Sequence, residues 1–329
     1  MKFSHSLLLI QKQLIVRYNQ LKEHPLVNNP LLGIIRYSLL NIFLRFKKKP
    51  IIWNWVNNVK YYLMIGDSSL IGNCYFFIDD YEETTFIINY LDKDETFIDI
   101  GSNHGHYTLI SSCIVGCKTI SVEPVKCTFD RLKMNLNLNK VENVVLRQVG
   151  ISNRNGELMI SNNSGEINRV IQNKTDKFVE IVKVITLDEL LSKETNVSMI
   201  KIDVEGYEKQ VLSGGKKSLQ NNKLNVIQIE LNNSNNFYGY DEIETISILE
   251  DSGFKPYQYD PSNKELLELN KKNTQKRDTL FIRDIERVRN RLNNKTIKVD
   301  RKTITIEYHN PNNINTSQQT QYQNHNTLK

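Results

Sequence analysis

The sequence predicts an α/β protein whose central sheet is doubly wound and mostly parallel. Short apolar, β-branched runs alternate with segments of helical spacing between residues 96 and 230. Strands and helices that alternate in this way are typical of βαβ units with right-handed crossovers, which build parallel sheets. The runs are Thr96–Ile100, Thr119–Val122, Val144–Gly150, Met199–Asp203 and Asn225–Glu230.

Elements on both sides of this core complete the predicted fold. Acidic residues after Asp80 open a helix that continues to Leu91, because carboxylates favour the positive end of a helix dipole. A later strand pair is expected to close one edge of the sheet. The further expected elements are strands at Tyr61–Ile65, Cys74–Ile78, Phe254–Tyr259 and Asp278–Ile282, and helices at Thr128–Leu138 and Glu205–Gln220.

Charge divides the 329-residue chain into unequal parts. Residues 1–60 carry ten basic side chains and one acidic, residues 61–283 carry 25 and 32, and residues 284–329 carry eight and four, for a net charge of +6. A mildly acidic centre argues against a protein that binds nucleic acid over its whole surface, so we expect no nucleic-acid partner. The basic N-terminal region is typical of a segment that binds a partner.

Three regions follow from these patterns. We predict a basic, partly amphipathic helical extension at 1–60, a main domain at 61–283 with its core at 81–282, and a basic, then Asn- and Gln-rich tail at 284–329. From about residue 310 the tail has almost no large apolar side chain. It therefore cannot offset its ordering entropy, and we expect it to be disordered.

The helical extension has two candidate roles. Apolar periodicity predicts helices at Met1–Glu23 and Leu31–Phe46, and the second is shorter than the ~20 residues that cross a bilayer. These helices either pack on the main domain or lie on an anionic membrane surface through residues 1–50. The four cysteines form no CxxC pair, which indicates reduced thiols and a cytoplasmic protein, free or peripheral to a membrane.

Acidic residues stand at the expected carboxyl ends of the strands, where open parallel sheets bind ligands. The turn Asp99-x-Gly101-x-x-x-Gly105 lets a ligand approach the backbone and its amide groups at a helix start. Glu123 follows Gly101 by 22 residues and ends the next strand, where its carboxylate is placed to accept hydrogen bonds from two ribose hydroxyls. The pattern therefore indicates a nucleoside cofactor.

The composition of the turn favours S-adenosylmethionine as that cofactor. A dinucleotide fingerprint has a second glycine two positions after the first, and Asn103 stands there instead. Asp99 would repel a pyrophosphate and attract the ammonium group of an amino acid. A nicotinamide-linked oxidoreductase is the alternative.

Three motifs stand together in this chain, namely the turn Asp99–Gly105, the pair Glu123-Pro124 and the block Lys201–Gly206. Together they resemble the FkbM-type S-adenosylmethionine-dependent methyltransferases, and the likeness runs from about Tyr81 to Ile282. The resemblance implies a Rossmann-like class I methyltransferase fold. It also implies that the cofactor is bound by Asp99, Gly101, Ser102, Asn103, His104, Gly105, Glu123, Pro124, Gly150 and Ile151.

The resemblance further implies O-methyl transfer to a hydroxyl of a sugar, a glycolipid or a similar small acceptor. Such a transfer needs close positioning and a base for the hydroxyl proton. Asp203 ends the fourth strand and Glu205 stands where the next helix is expected to start, so we predict both as catalytic residues. With Glu230 they offer oxygen ligands that suit Mg²⁺, although no metal is predicted. The acceptor is expected between loops such as Asn162–Lys177 and Asn232–Tyr240.

Other roles for these residues stay open. Asp203 could anchor the methionine amine of the cofactor, and Glu205 could cap its helix. His104 and His106 are alternative bases on the turn, since imidazole titrates near neutral pH. A membrane-surface module that keeps the fold without the activity is the remaining alternative.

Overall fold

A computed structural model of the chain describes residues 2–47, 49–161, 168–171 and 179–308. The helices are α1 Lys2–Glu23, α2 Pro30–Phe46, α3 Ser68–Ile71, α4 Asn73–Phe76, α5 Tyr81–Tyr90, α6 His106–Leu109, α7 Lys126–Leu138, α8 Leu187–Leu190, α9 Glu208–Ser213, α10 Glu242–Asp251 and α11 Ile285–Asn294. The strands are β1 Ile51–Asn54, β2 Lys60–Leu63, β3 Thr96–Ile100, β4 Lys118–Val122, β5 Val144–Arg147, β6 Gly150–Ser152, β7 Gly156–Ser161, β8 Val179–Thr186, β9 Val197–Ile202, β10 Val226–Glu230, β11 Lys255–Asp260, β12 Glu265–Glu268, β13 Asp278–Ile282, β14 Lys295–Val299 and β15 Ile304–Tyr308.

The central sheet has eight strands among the described residues, in the order β12-β11-β13-β10-β9-β3-β4-β5. The strands from β10 to β5 run parallel, and β13 lies antiparallel between β10 and β11. This arrangement confirms the predicted doubly wound α/β fold with a closing strand pair. The chain winds from β3 to β5 and returns to β9 on the other side of β3, so the strand order reverses between β3 and β9. Ligands of open α/β sheets bind at such a switch point.

The innermost strands are covered on both faces because their successive side chains enter two different cores. Phe97 and Met199 pack in one core, whereas Ile98 and Ile200 pack in the other. Every residue of β3, β9 and β10 is buried. Only the ends of these strands are therefore free to carry chemistry.

A smaller sheet, not predicted from the sequence, follows β5. Within the described residues its order is β6-β8-β7, with β6 parallel and β7 antiparallel to β8. The run Val144–Gly150, predicted as one strand, is divided, because β5 ends at Arg147 and Gly150 begins β6. A Cβ at Gly150 would lie 3.0 Å from Val184 Cγ1, so a glycine allows β6 to pack closely on β8.

Two predicted elements are wrong in kind or in length. The apolar run Cys74–Ile78, predicted as a strand, begins inside helix α4, whose residues are all buried. Such a short run without periodicity does not distinguish a buried helix from a buried strand. The helix predicted from Glu205 begins only at Glu208, because Glu205 and Gly206 have left-handed backbone angles, with φ of 55° and 99°.

The predicted N-terminal helices are present as α1 and α2. They pack against each other, and α2 also packs on α4 of the main domain. Leu21 and Leu44 are buried between them and the domain, and Gly33 lets α2 approach Leu21 closely. No helix within the described ranges is both long and apolar enough to span a membrane.

The chain beyond Ile282 returns to the main domain. Val288 and Leu292 of α11 are buried, and the Lys295 ammonium donates a hydrogen bond to the backbone oxygen of Leu91 at 2.6 Å. Helix α11 and the β14–β15 hairpin therefore pack on α5. The segment predicted to be disordered from about 310 lies outside the described residues, and the predicted domain limits stay predictions.

Candidate functional site

A cleft of about 1330 Å³ opens at the carboxyl ends of the parallel strands. Its wall is formed by the turn after β3 and by the ends of β4, β9 and β10, with further contributions from α1 and from the segment before β13. Small-molecule sites usually have volumes of roughly 300–1,000 Å³. The cleft therefore has room for two ligands side by side, such as a nucleoside cofactor and an acceptor.

The glycine-rich turn is shaped by a close approach of two strand ends. Gly101 has φ of 79°, and a Cβ at this position would lie 1.8 Å from the backbone oxygen of Asp203. The amide of Asp203 also donates a hydrogen bond to the Ile100 carbonyl at 3.0 Å. Only glycine fits here, both for its backbone angle and for its lack of a side chain. The turn after β3 is thus fixed directly beside the first residue after β9.

Glu123 connects this turn to the end of β4. Its buried carboxylate accepts hydrogen bonds from the amide of Asn103 at 3.1 Å and from the amide of Val125 at 3.0 Å. Burial raises the pKa of Glu123 to about 7, although both amide contacts favour the ionised form. Because a carboxylate has about four acceptor positions, Glu123 keeps capacity for a ligand at the wall of the cleft.

The predicted cofactor residues divide into two groups. Gly101, Ser102, Asn103, Glu123, Pro124, Gly150 and Ile151 line the cleft. Asp99, His104 and Gly105 lie behind its wall. Asp99 accepts a hydrogen bond from the Thr108 hydroxyl at 2.6 Å, and burial raises its pKa to about 6. His104 is also buried, with its Nδ1 3.5 Å from Oδ1 of Asp67.

Three carboxylates meet at the cleft on the side of β9 and β10, and we name Asp203, Glu205 and Glu230 the carboxylate triad. One oxygen from each lies within 4.8 Å of the others. Burial, reinforced by the charge of Asp203, raises the pKa values of Glu205 and Glu230 above the ordinary range. This spacing permits two kinds of chemistry, proton acceptance and ligation of a hard divalent cation by oxygen.

A buried lysine lies beneath the carboxylate triad. The Lys201 ammonium contacts Asp203 Oδ2 at 3.2 Å and Asp278 Oδ2 at 2.9 Å, and it stands 4.8 Å from the ring centre of Tyr107. Burial alone would lower the pKa of Lys201, but the surrounding carboxylates raise it well above its ordinary value. One oxygen of Asp203 is therefore already occupied by this cation.

The backbone between β9 and α9 is held by Glu208. Its buried Oε1 accepts hydrogen bonds from the amides of Val204 at 3.2 Å and Gly206 at 3.1 Å. Gly206 packs so closely on the backbone of Ser234 that a Cβ would lie 2.5 Å from it. These contacts fix Glu205 in its left-handed conformation. Glu205 is therefore neither at a helix start nor a helix cap, and its side chain belongs to the cleft.

His106 lines the cleft with both of its ring nitrogens already bonded. The Asn73 amide nitrogen is 3.1 Å from Nδ1, and the Thr84 hydroxyl is 3.0 Å from Nε2. The amide nitrogen of Asn73 can only donate, so Nδ1 accepts and Nε2 carries the proton. Burial lowers the pKa of His106 to about 3. A neutral imidazole whose acceptor atom is occupied is poorly suited to remove a proton from an acceptor.

Cationic side chains that were not predicted from the sequence lie next to the carboxylate triad. Arg169 Nη2 lies 3.6 Å from Glu205, and Arg277 Nη1 lies 4.0 Å from Glu230. Asn232 and Asn233 line the cleft, as expected for that loop, whereas most of the loop predicted at Asn162–Lys177 lies outside the described residues. No local pattern distinguishes these arginines from surface ones, because only the folded sheet brings them to the site.

Helix α1, which is distant in sequence from every motif, also contributes to the cleft. Arg17, Gln20, Glu23 and His24 line its outer part. Periodicity predicted this helix but did not indicate where it would pack in the fold. The N-terminal helices therefore form part of the site.

Residues 99–256 match the family of the methyltransferase FkbM domain. The curated hexuronic acid methyltransferase AglP of Haloferax volcanii is 29% identical over 140 residues, which are 42% of this chain and 57% of that protein. The match thus spans less than two thirds of that relative.

Two solved structures illustrate the likeness in fold. M. jannaschii TYW2 in complex with AdoMet has 13% identity and a TM-score of 0.38, covering 72% of this chain and 88% of that one. The precorrin-6y C5,15-methyltransferase of Geobacter metallireducens has 12% identity and a TM-score of 0.35, covering 62% and 86%. Both TM-scores are too low for these likenesses to bear on the activity.

The doubly wound sheet, the glycine turn and the acidic residue after β4 define a class of protein, the Rossmann-like methyltransferases that use S-adenosylmethionine. Within that class, residues 99–256 of the chain match the methyltransferase FkbM domain. The residues present suit this cofactor, since the cleft offers carboxylates to its cationic and hydroxyl groups and a turn without a Cβ at Gly101. The family match favours S-adenosylmethionine over the nicotinamide alternative.

The burial of Glu208 predicts how the free energy of unfolding depends on pH. Burial raises the pKa of Glu208 from 4.5 to about 7. The folded protein therefore binds a proton that the unfolded chain releases, and this contribution to stability is lost as pH rises from about 4.5 to 7. Glu208→Gln keeps the accepting oxygen without the charge. We expect it to gain up to about 3 kcal/mol over the wild type between pH 5 and pH 8, from about 1.4 kcal/mol per pKa unit.

Urea unfolding at several pH values measures this difference. Glu250→Gln, on the exposed face of α10, is the matched control and should show no such change with pH. Equal pH dependence of the Glu208→Gln variant and the wild type would contradict the assignment.

Proposed function

We propose that this protein transfers the methyl group of S-adenosylmethionine to a hydroxyl oxygen of a sugar, a glycolipid or a similar small acceptor. The observation that carries the proposal is the carboxylate triad beside the cofactor turn. It supplies proton acceptors at the strand ends where the cofactor methyl group would be presented. The size of the cleft supports a second ligand next to the cofactor.

The proposed cofactor position follows the wall of the cleft. Gly101 and Asn103 would contact the cofactor through the backbone of the turn, and Gly150 and Ile151 would lie against the adenine. Glu123 would accept hydrogen bonds from the ribose hydroxyls with the acceptor positions that its two amide contacts leave. Asp99, behind the wall, would act indirectly by holding Thr108 in the helix after the turn.

The triad would handle the acceptor proton. When bound, the cofactor supplies an electrophilic methyl group, which the acceptor oxygen takes as the carbon–sulfur bond breaks and its electron pair stays on sulfur. The acceptor hydroxyl would donate its proton to a carboxylate of Asp203 or Glu205. Glu230 is the third candidate, and because burial raises its pKa to about 9 it would accept the proton only when the pH is high enough to ionise it.

The acceptor class has weaker support, from the relative and from the charges of the cleft. AglP is named for a hexuronic acid, a sugar with both hydroxyl and carboxylate groups. Arg169 and Arg277 border the triad in this chain. They would suit an acidic sugar, since a guanidinium pairs well with a carboxylate.

The proposed location is the cytoplasm, on the basis of the cysteines. Among the described residues, Cys74, Cys113 and Cys117 are thiols outside any disulfide. Free thiols are the rule in reducing compartments. Contact with a membrane through residues 1–50 is a separate proposal.

The catalytic proposal predicts large losses from changes that preserve shape. Asp203→Asn, Glu205→Gln and Glu230→Gln each keep side-chain volume but remove a proton acceptor. We expect turnover to fall about 10²- to 10⁴-fold in the variant that removes the base, with cofactor affinity largely retained. Labelled S-adenosylmethionine is first incubated with the protein and a cell extract, and the acceptor is isolated from the labelled fraction. Turnover is then measured with that acceptor. Glu250→Gln is the matched control.

The same assay decides between the roles of the triad. Loss of activity with a chelator and its recovery with Mg²⁺ would assign the triad to a metal, whereas no effect would leave direct proton transfer. If affinity for the cofactor falls first in Asp203→Asn, that residue anchors the methionine amine. Full turnover in all three variants would exclude the triad, and no labelled product in any extract would favour a module without activity.

The acid side of the pH profile gives an independent test. A base works in its ionised form, so kcat/KM should fall as pH decreases through its pKa. Because burial and neighbouring charges raise the pKa of Glu230, we expect this midpoint above the ordinary glutamate value of about 4.3. Glu205→Gln removes one of those charges and should move the remaining midpoint to lower pH. An unchanged midpoint would contradict control by Glu230.

The ribose assignment is tested with a modified ligand. Wild-type protein should bind S-adenosylhomocysteine more tightly than its 2′,3′-dideoxy analogue, by about 1.5–3 kcal/mol for charge-assisted hydrogen bonds. Glu123→Ala should reduce this preference to near zero. Because both affinities are measured with the same variant, any general disturbance of the turn affects both and cancels in their difference. Calorimetry that shows an undiminished preference in the variant would refute the assignment.

A further inference from the structure

Helix α2 exposes a continuous apolar face. The side chains of Leu31 and Phe46, near its two ends, are 64% and 83% exposed. The full set of exposed large apolar residues on this helix is Leu31, Leu32, Ile35, Leu39, Ile42, Phe43 and Phe46. At 3.6 residues per turn they fall within an arc of about 120° on one side of the helix. We name this arc the α2 stripe.

The opposite side of the same helix is packed against the protein. Gly33 and Leu44 are buried, and Tyr37 makes an edge contact with Tyr75 of α4. Helix α2 therefore differs from an ordinary surface helix, which is apolar only on the side that faces the core. Its core-facing side is satisfied, and a second apolar side faces outward.

Cations border the stripe along both of its edges. Arg36 and Lys47 follow one edge and Arg45 follows the other, all of them exposed. Residues 1–60 as a whole carry ten basic side chains and one acidic. An apolar face with flanking Lys and Arg is the pattern of a helix that lies in the plane of a membrane interface.

The dimensions of the stripe argue against a second copy of the chain as its occupant. A helix of 17 residues is about 25 Å long, and a strip about 10 Å wide along it covers roughly 250 Å². A stable protein–protein interface buries about 800 Å² per partner. The like charges at its borders would also repel across a symmetric contact. Neither the small area nor the positive charge argues against an anionic lipid surface.

We propose that the α2 stripe docks this protein on an anionic membrane surface, with α2 parallel to the surface and its apolar side chains inserted at the boundary between headgroups and acyl chains. Helix α1, which packs on α2, lines part of the cleft through Arg17, Gln20 and Glu23. Docking through α2 would therefore bring this pair of helices, and with it part of the cleft wall, to the membrane. If the proposed function holds, that position suits an acceptor carried on a lipid.

Vesicle flotation of the full chain tests the docking without any methyl transfer, so its result is independent of the proposed function. We expect the protein to float with vesicles containing phosphatidylglycerol and not with pure phosphatidylcholine vesicles. Recovery should decrease as salt is raised, because the ionic part of the attraction is screened. Equal recovery from both vesicle types at all salt concentrations would overturn the proposal.

Matched variants identify the surface. Ile35→Ser, Leu39→Ser and Phe46→Ser together should reduce the vesicle partition coefficient at least tenfold. The control set Ile181→Ser, Ile243→Ser and Leu267→Ser changes exposed apolar residues elsewhere on the protein and should leave binding unchanged. Arg36→Gln, Arg45→Gln and Lys47→Gln should each weaken binding about fivefold, from about 1 kcal/mol per cation near an anionic surface.

Circular dichroism and thermal melting establish that each variant is folded. Equal losses from the stripe set and the control set would overturn the proposal. So would light scattering that shows a dimer which dissociates only in the stripe variant while vesicle binding is absent, because the occupant would then be a second copy.

Discussion

The close approach of Gly101 to the backbone oxygen of Asp203 is the constraint on which the site depends. It occurs where the strand order reverses, between β3 and β9, and only a residue without a Cβ permits it. The approach places the cofactor turn and the first carboxylate of the triad on neighbouring strand ends, with no intervening side chain. Glu123 then joins the same turn to β4 through the amide of Asn103. One steric requirement thus sets the relative positions of the cofactor wall and the acidic residues.

Concentrating carboxylates at this edge has an electrostatic cost, and the structure limits it in two ways. The Lys201 ammonium contacts Asp203 and Asp278 from below, where its own burial would be unfavourable without them. Buried carboxylates that this ammonium does not contact respond instead through their pKa values, which burial raises in Glu208 and Glu230. A site of this kind favours binding of cationic groups, and both the sulfonium and the ammonium of S-adenosylmethionine are cations.

Periodicity predicted the central sheet well because buried parallel strands leave a strong local signal, as Thr96–Ile100 does. It failed where the signal is shared between structures. The run Cys74–Ile78 is buried except at Phe77, so nothing local distinguishes helix from strand. The motifs predicted a site at strand ends that line one cleft in the structure, but they could not show that Asp99 lies behind the cleft wall or that Glu205 precedes the helix. Those outcomes depend on a Thr108 hydroxyl and on the packing of Gly206, which are contacts made only in the folded chain.

The position of α1 links the basic extension to the chemistry. In sequence, residues 1–60 look like an appendage, since their composition differs from that of the domain that follows. In the fold, α1 supplies part of the cleft wall while α2, packed on α1 and α4, turns an apolar face outward. A helix that only covered the domain would need one apolar side, and α2 has two. The second side has no role in the stability of the monomer, and in water its exposure is unfavourable. Its retention beside a cleft with room for an acceptor is therefore better explained by a surface that approaches the protein from that side than by packing.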